Sequence, residues 1–216
     1  MRIIQSLTVA ALVGLATVPA LALQEGAPQV PGQMDASRIT GGTYATDPSH
    51  TLVAWSVNHF GFNTYYGAFG DVEGTLQIDP ADLDSAKVDV TIPITSVAVV
   101  SDGLRDHLLR PGKDGGDPDF FGAEPEPAHF VSSKVDVMED GTSALITGDL
   151  TINGVTKPVT LDARFTGAGN HPMKKVETIG FEGTATIMRS DFGIGYAIPL
   201  VSDEVKLTIT AAFEKQ

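Results

Sequence analysis

The sequence has no cysteine among its 216 residues, and this absence excludes more than any other. A chain without cysteine has no disulfide bond, no thiolate metal site and no attachment point for a lipoprotein anchor. Positive charge is also scarce, since 14 lysine and arginine residues stand against 27 acidic residues, which gives a net charge of −13. This balance argues against nucleic acid and against anionic lipid surfaces as partners.

The sequence also lacks the motifs of catalysis and of metal binding. It has no G-x-S-x-G elbow, and its five histidines are scattered without an H-x-H or H-E-x-x-H pair. The acidic residues of 114–119 lack the calcium-loop spacing, and Gly193–Gly195 is an isolated G-x-G. We therefore predict no catalytic residues, no metal site and no cofactor, and thus no enzyme. One alternative stays open, in which His59 or His107 acts as an acid or base on a bound substrate.

The only long apolar run stands at the N-terminus. One positive charge at Arg2, an apolar centre and a small-x-small ending at Ala22 are typical of a cleaved secretory signal peptide over residues 1–22. The alternative is a membrane anchor, for which the run is short and without flanking charges. Residues 23–42 are rich in proline and glycine and are predicted to form a flexible leader. Residues 43–216 are sufficient for one domain, which we expect to be soluble and exported to the periplasm.

Apolar residues in this domain recur with a period of two. Each run has one apolar and one polar face, which indicates antiparallel strands with one face in water. Turn sequences separate the runs, and Asn153–Gly154 is short enough to form a tight hairpin. About eight such strands can close into a barrel that holds a small ligand, or stack as a sandwich. The predicted strands are centred on residues 51–59, 67–78, 87–94, 131–137, 146–152, 159–165, 179–189 and 205–213.

The strand over residues 179–189 carries the sharpest functional signal. Its apolar face runs from Ile179 through Phe181, and it has only Gly183 and Ala185 in the middle before it ends at Arg189. Small residues in place of branched aliphatic ones leave room inside a barrel, and a terminal cation suits a polar group. The pattern favours a cavity for a long apolar molecule with a polar head. Arg189 has two interpretations, contact with the head group or a structural role at the barrel end beside a carboxylate.

One segment departs from the strand pattern. Ser101 can cap a short helix that begins at Asp102 and ends near Arg110, with Leu104, His107 and Leu108 on its buried side. The insertion that follows, residues 113–127, is rich in glycine, proline and acidic residues. It is either a functional lid or a disordered surface loop.

Aromatic residues cluster near two predicted strand ends. One face of a strand carries Trp55, Val57 and His59 at every second position, and an aromatic group that includes Phe69 follows. These residues either belong to the core or line the cavity, and His59 is open to the same two interpretations. Within the insertion, the pair Phe120–Phe121 has no strand of its own, so we expect it to dock on the barrel mouth.

Five segments, taken in order, resemble the motifs of the YceI-like family. Each segment alone is modest, but the ordered set spans essentially all of Thr43 to Phe213. The segments are residues 47–61 (DPSHTLVAWSVNHFG), 105–108 (RDHL) with 119–121 (DFF), 148–159 (GDLTINGVTKPV), 189–193 (RSDFG) and 201–205 (VSDEV). The chain departs from the family pattern at an insertion between Leu109 and Asp119, and at residues 124–127 (EPEP), where the family favours an aromatic residue followed by proline.

The resemblance implies an all-β fold: an extended, lipocalin-like antiparallel β-barrel of about eight strands, with a short helix and the loop insertion. It implies an exported protein that binds polyisoprenoids or similar amphiphilic lipids, isoprenoid quinones among them, in the lumen. Arg105, His107, Phe120, Phe121 and Arg189 would then lie around the lumen or its mouth. A homodimer is compatible with this resemblance.

The sequence therefore predicts an exported binding protein that sequesters or carries a polyisoprenoid or other long-chain amphiphilic lipid, without a stable membrane anchor. The alternative is an envelope stress or interaction protein whose barrel is packed solid. The predicted ligand-binding residues are Trp55, Val57, His59, Phe69, Arg105, His107, Phe120, Phe121, Phe181, Gly183, Ala185, Arg189 and Phe192.

Overall fold

The computed structural model describes residues 29–216. The predicted signal peptide over residues 1–22 lies outside the described residues. Residues 29–216 fold into ten β-strands and one α-helix, and no helix in this range has the length and hydropathy that a membrane span requires. The elements are β1 (Gly42–Thr46), β2 (Leu52–His59), β3 (Asn63–Phe69), β4 (Glu73–Ile78), β5 (Lys87–Ile92), α1 (Asp102–Leu108), β6 (Ala128–Val137), β7 (Ser143–Ile152), β8 (Val155–Asn170), β9 (Glu177–Met188) and β10 (Glu204–Lys215).

The predicted closed antiparallel barrel is confirmed. Eight strands form the ring in the order β1-β4-β5-β6-β7-β8-β9-β10, and β10 closes it by pairing with β1. The remaining two strands form a hairpin that prolongs the wall, because β2 pairs with the first half of β10 while β1 pairs with its end. A bridge between Ala68 of β3 and Ala98 joins this hairpin to the segment after β5. Every strand pairing is antiparallel, as the one-sided strands predict.

The strand boundaries differ from the prediction in one region. The expected single strand over residues 67–78 is two strands, because the chain turns at Gly70–Val72, where Asp71 adopts a positive φ of 52°. The sequence does not predict β1, because this strand is short. It also does not predict the first part of β3, because the aromatic residues there do not alternate regularly. The ring nevertheless contains the predicted number of strands, since the hairpin β2–β3 lies outside it.

A β-bulge in β6 makes another prediction wrong. The sequence places Val131 and Ser133 on the same face as Val135, but the register against β7 shifts between Ser132 and Lys134. An extra residue in one strand reverses which side chains face inward. Val131 is therefore 38% exposed, while Phe130 and Val135 on either side of the bulge are buried.

The predicted turns and helix form as expected. Asn153 and Gly154 both have positive φ and join β7 to β8 as a two-residue hairpin. The Ser101 side chain accepts a hydrogen bond from the backbone N–H of Leu104, which caps α1. Leu108, the last residue of the helix, is buried. The helix ends at Leu108, two residues before the predicted end.

The second half of the predicted flexible leader contacts the barrel. Gln33 pairs with Ala168 of β8 through two backbone hydrogen bonds, and Ile39 is buried in a core cluster with Tyr44, Phe165 and Ile179. An apolar side chain and free backbone groups next to an edge of the barrel account for this docking, which differs from the expected flexibility. The leader thereby covers one end of the barrel.

Candidate functional site

The lumen of the barrel contains two adjoining cavities that share four lining residues. The narrow chamber has a volume of about 260 Å³ and lies at the end covered by the leader, since Ala36 and Ile39 line it. The wide chamber has a volume of about 590 Å³ and lies between the β2–β3 hairpin, α1 and the loop after β9. Four apolar side chains from four different strands line both chambers and form the waist between them: Val53, Ile92, Leu150 and Leu207.

The wide chamber brings together most of the predicted site residues. They come from β2, β3, α1, the insertion and the segment after β9, which are far apart in sequence. The predicted residues that line the wide chamber are Trp55, Val57, His59, Phe69, His107, Phe120, Phe121, Arg189 and Phe192.

The alternating face of β9 points into the barrel as predicted. Ile179 and Gly183 are buried, while Thr184 and Thr186 are exposed. Phe181 and Gly183 line the narrow chamber. A Cβ atom added at Gly183 would meet its nearest neighbours at 3.7 Å, which is an ordinary contact, so the glycine leaves space rather than relieving a clash.

Ala185 does not line either chamber, contrary to the prediction. It is half-buried and packs against a cluster of Phe130, Leu150, Val159 and Phe192. The space that a small residue creates at this position is therefore filled by neighbouring aromatic and aliphatic side chains.

Arg189 does not lie at the barrel rim as a free cation. It is only 5% exposed, and its guanidinium donates three hydrogen bonds to the backbone carbonyls of Ile194, Val201 and Ser202, each at 2.9 Å. The nearby Asp203 carboxylate accepts hydrogen bonds from Ser190 rather than from Arg189. Burial lowers the pKa of the Arg189 guanidinium. Arg189 thus holds the loop of residues 189–203 against the chamber wall, through backbone partners that the sequence did not suggest.

Arg105 lies outside the cavity, contrary to the expectation from the family resemblance. It is on the exposed side of α1 and does not line either chamber. Its guanidinium donates to the backbone carbonyls of Val97 and Thr95, each at 3.3 Å. The residue fastens the helix to the preceding segment.

The insertion docks over the wide chamber, as the Phe120–Phe121 pair predicts. The backbone N–H of Phe121 donates to the carbonyl of Leu108 at 3.1 Å, and its ring packs edge-on against Phe69 at 5.9 Å. Phe120 and Tyr196 pack against the imidazole of His107, with ring centroids 5.1 and 5.2 Å away. These aromatic contacts fasten residues 110–127, which we call the lid, to α1 and to the loop after β9.

A carboxylate fastens this lid to the helix. Oδ2 of Asp119 lies 2.6 Å from Nη2 of Arg110 and 2.8 Å from Nε2 of His107. The hydrogen bonds from Arg110 and then from His107 hold the pKa of the Asp119 carboxyl below its usual value. The ring of His107 therefore forms part of the chamber wall, while its Nε2 atom binds Asp119 of the lid.

The β2–β3 hairpin contributes polar groups of a different kind. The Trp55 indole packs against Gly67, where a Cβ atom would come within 2.2 Å of Cζ2 of the ring. The indole Nε1 of Trp55 and the hydroxyl of Tyr65 are buried without a hydrogen-bond partner among residues 29–216. His59 is half-buried, and its closest aromatic neighbour is Phe60, edge-on at 4.3 Å.

Some lining residues escape prediction from the sequence. Tyr196 and Leu200 line the wide chamber and are partly exposed at its mouth together with Phe60, but they belong to an irregular loop without periodicity. Ile39 lies in a segment that reads as a leader, and its isolated apolar side chain was the only available signal. Across the residues that the structure describes, no group of three or more histidine or acidic side chains could hold a metal ion.

Comparison with known proteins identifies the family. A model of the YceI-like domain matches residues 44–213. The protein YceI of Escherichia coli is 39% identical over 162 residues, which are 74% of this chain and 80% of that protein. A UPF0312 protein of Pseudomonas paraeruginosa is 38% identical over 161 residues, with the same coverage of 74% and 80%.

Solved structures agree with the sequence comparison. The YCEI protein of Campylobacter jejuni has a TM-score of 0.59 and 32% identity, and the match covers 74% of this chain and 90% of that one. A polyisoprenoid binding domain from Saccharophagus degradans, at 14% identity, shares the fold with a TM-score of 0.53 over 80% of this chain and 98% of its own. The chain therefore belongs to the YceI-like family, as its motifs suggest.

Proposed function

We propose that this protein sequesters or carries a polyisoprenoid or other long-chain amphiphilic lipid in the barrel lumen. The observation that carries the proposal is the apolar lumen inside a closed barrel, in which two cavities adjoin at a shared waist. The Saccharophagus degradans relative by fold is a polyisoprenoid binding domain, which supports the same ligand class. A solidly packed barrel, the alternative from the sequence, does not fit a lumen with these volumes.

The lining explains why a prenyl or acyl chain would enter. Almost all of the waist and the narrow chamber is aliphatic or aromatic, so the tail needs no directional partner there. Burying each methylene stabilises the complex by about 0.8 kcal/mol, and a chain of a few isoprene units therefore supplies enough free energy for micromolar binding. The narrow chamber suits the tail, while the wide chamber has the width and the polar groups for a head.

The proposal includes export, with residues 1–22 removed as a signal peptide and the barrel acting in the periplasm. It is a proposal of binding rather than of catalysis. His107 is committed to Asp119, and Arg189 is committed to backbone carbonyls, so neither is positioned as an acid, a base or an anchor for a reacting group. Purified protein that turned over a bound lipid, and lost that turnover in His59→Ala while still binding, would contradict this view.

The direct test is to purify the protein without detergent from its native compartment, extract it with solvent and identify any lipid by mass spectrometry. Trp55 is the only tryptophan and lines the wide chamber, so its fluorescence reports on occupancy. We expect extractable lipid, and saturable quenching of Trp55 when a prenylated quinone is added to stripped protein. No lipid in the extract, together with no quenching by quinone or prenol, would refute the proposal.

A further inference from the structure

The wide chamber contains no cation that is free to bind an anionic head group. Arg189 is the only arginine or lysine that lines it among the described residues. Three of the five N–H groups of that guanidinium are donated to carbonyls, and its small exposed fraction leaves no face for a ligand. The lid adds Arg110, which already pairs with Asp119. A buried phosphate would therefore lie among apolar walls without a counter-charge, which is strongly unfavourable.

Two polar atoms of the same chamber, Nε1 of Trp55 and the hydroxyl oxygen of Tyr65, are buried without a partner among residues 29–216, and both belong to one hairpin. Trp55 and His59 alternate with Val57 along β2, and Tyr65 of β3 stands directly across from Val57. His59 lines the same chamber, but its ring nitrogens are not among the buried unpartnered atoms. The other polar residues deep in this wall are engaged: Ser101 caps α1, and His107 is bound to Asp119.

We propose that the wide chamber selects an uncharged head group with an acceptor oxygen, such as a quinone carbonyl or a prenol hydroxyl, over a phosphate. The inference rests on the proposed function and specifies its ligand. The Tyr65 hydroxyl turns its hydrogen about the Cζ–Oη bond to donate to the ligand oxygen, and Trp55 and His59 offer further donors on the same strip. A buried donor without a partner is costly, so a ligand oxygen that satisfies one gains affinity that a hydrocarbon does not.

The test compares three ligands that share a geranylgeranyl tail: a menaquinone, the free alcohol and the diphosphate. Binding to the lipid-stripped barrel is measured by Trp55 fluorescence and, for each ligand, by calorimetry. We expect the two uncharged ligands to bind at least about tenfold more tightly than the diphosphate. A diphosphate that binds as tightly as the alcohol, or more tightly, would overturn the selection of an uncharged head.

The role of the hairpin is tested with a matched pair of variants. Tyr65→Phe removes the inward hydroxyl, whereas Tyr66→Phe removes the hydroxyl of the next residue, which faces outward and is 67% exposed. We expect Tyr65→Phe to weaken binding of the menaquinone about 3- to 10-fold, with little effect on a prenyl hydrocarbon of the same length. Tyr66→Phe should leave both unchanged.

The outcomes separate this inference from the proposed function. If none of the ligands binds to the native protein, the proposed function fails and this inference fails with it. If the uncharged ligands bind but Tyr65→Phe matches Tyr66→Phe in every measurement, lipid binding stands and the hairpin is not the head-group site. Circular dichroism and unfolding curves confirm that both variants are folded before the affinities are compared.

Discussion

At the scale of single residues, Gly183 shows how an absent side chain shapes the lumen. It lies on the inner face of β9 between Phe181 and Ala185, and its Cα borders the narrow chamber. Because a Cβ atom fits there at ordinary distances, a larger residue can be accommodated only by extending into the cavity. The size of this one position therefore sets how much of the narrow chamber a lipid tail can occupy.

We expect Gly183→Leu to fold normally and to weaken the binding of long prenyl tails about tenfold, because the leucine displaces roughly two methylenes of tail from the narrow chamber. Short tails that end in the wide chamber should lose much less. Thr184→Leu is the matched control, since it adds the same side chain on the exposed face of β9. Equal affinity of both variants for long tails would show that the tail does not reach Gly183.

Glu177 illustrates a residue that accepts three hydrogen bonds from two residues of one distant segment, Thr40 and Tyr44. Its carboxylate accepts hydrogen bonds from the Thr40 backbone N–H at 2.9 Å, the Thr40 hydroxyl at 2.6 Å and the Tyr44 hydroxyl at 2.6 Å. Burial alone would raise the pKa of Glu177, but the hydrogen bonds from Thr40 and Tyr44 outweigh it and lower the pKa below the ordinary 4.5. Burial and the bond to Glu177 raise the pKa of Tyr44 to about 12.

A carboxylate whose pKa is lowered by folding stabilises the protein above its unfolded pKa, and that stability is lost as the pH falls through the folded value. We therefore expect Glu177→Gln to lower the free energy of unfolding by about 1–3 kcal/mol near neutral pH, with the difference from the native protein shrinking below about pH 4.5. Urea unfolding across this range measures it. Glu126→Gln, at an exposed position of the insertion, should change little; an equal loss in both variants would contradict the expectation.

Residue-scale predictions from the sequence succeed where alternation alone decides the outcome. The inward positions of Trp55, Val57 and Gly183 follow from a period of two, and the structure places all three on the lumen. Arg189 could not be predicted in the same way. Its partners are carbonyls of an irregular loop, and backbone groups are identical in every sequence, so only the folded path of the loop brings them to the guanidinium.

At the scale of elements, the sequence predicts the helix and the strands better than it predicts their interruptions. The cap at Ser101 and the hairpin at Asn153–Gly154 have residue signatures, and both form. The bulge at Ser132–Lys134 has no such residue signature. Each half of β6 keeps a regular alternation, but the extra residue reverses which side chains of the second half face inward. The docking of Ile39 depends on contacts more than a hundred residues away, with Phe165 and Ile179.

The lid is the element whose stability we expect to depend on one carboxylate. Asp119→Asn removes the charge that Arg110 and His107 share, so the lid should open more often. Limited trypsin cleavage after Lys113 should become about 3- to 10-fold faster, and ligand dissociation should accelerate with it. Asp117→Asn, at an exposed position of the same loop, is the control. Cleavage at the native rate in Asp119→Asn would show that the aromatic contacts of Phe120 and Phe121 hold the lid by themselves.

At the scale of the whole molecule, the lumen makes the stability of the barrel depend on a ligand, whereas a packed core needs none. The one-sided strands predict closure, but the sequence does not reveal that the lumen is divided, because the waist is built from four strands that each look regular. Side chains around a cavity have fewer neighbours than those in a packed core, so they lose part of their packing energy. A ligand that fills the lumen restores those contacts only in the folded state.

We therefore expect lipid to raise the thermal stability of the stripped protein through mass action. A ligand at about one hundred times its Kd contributes about 2.7 kcal/mol, which for a barrel of this size corresponds to a rise in Tm of about 5–10 °C. Differential scanning calorimetry at several lipid concentrations measures it, and Gly183→Leu should reduce the rise, relative to the native protein, more for long tails than for short ones. A Tm that does not change as quinone is added would mean that the folded protein does not bind the lipid in preference to the unfolded chain, and the proposed function would fail.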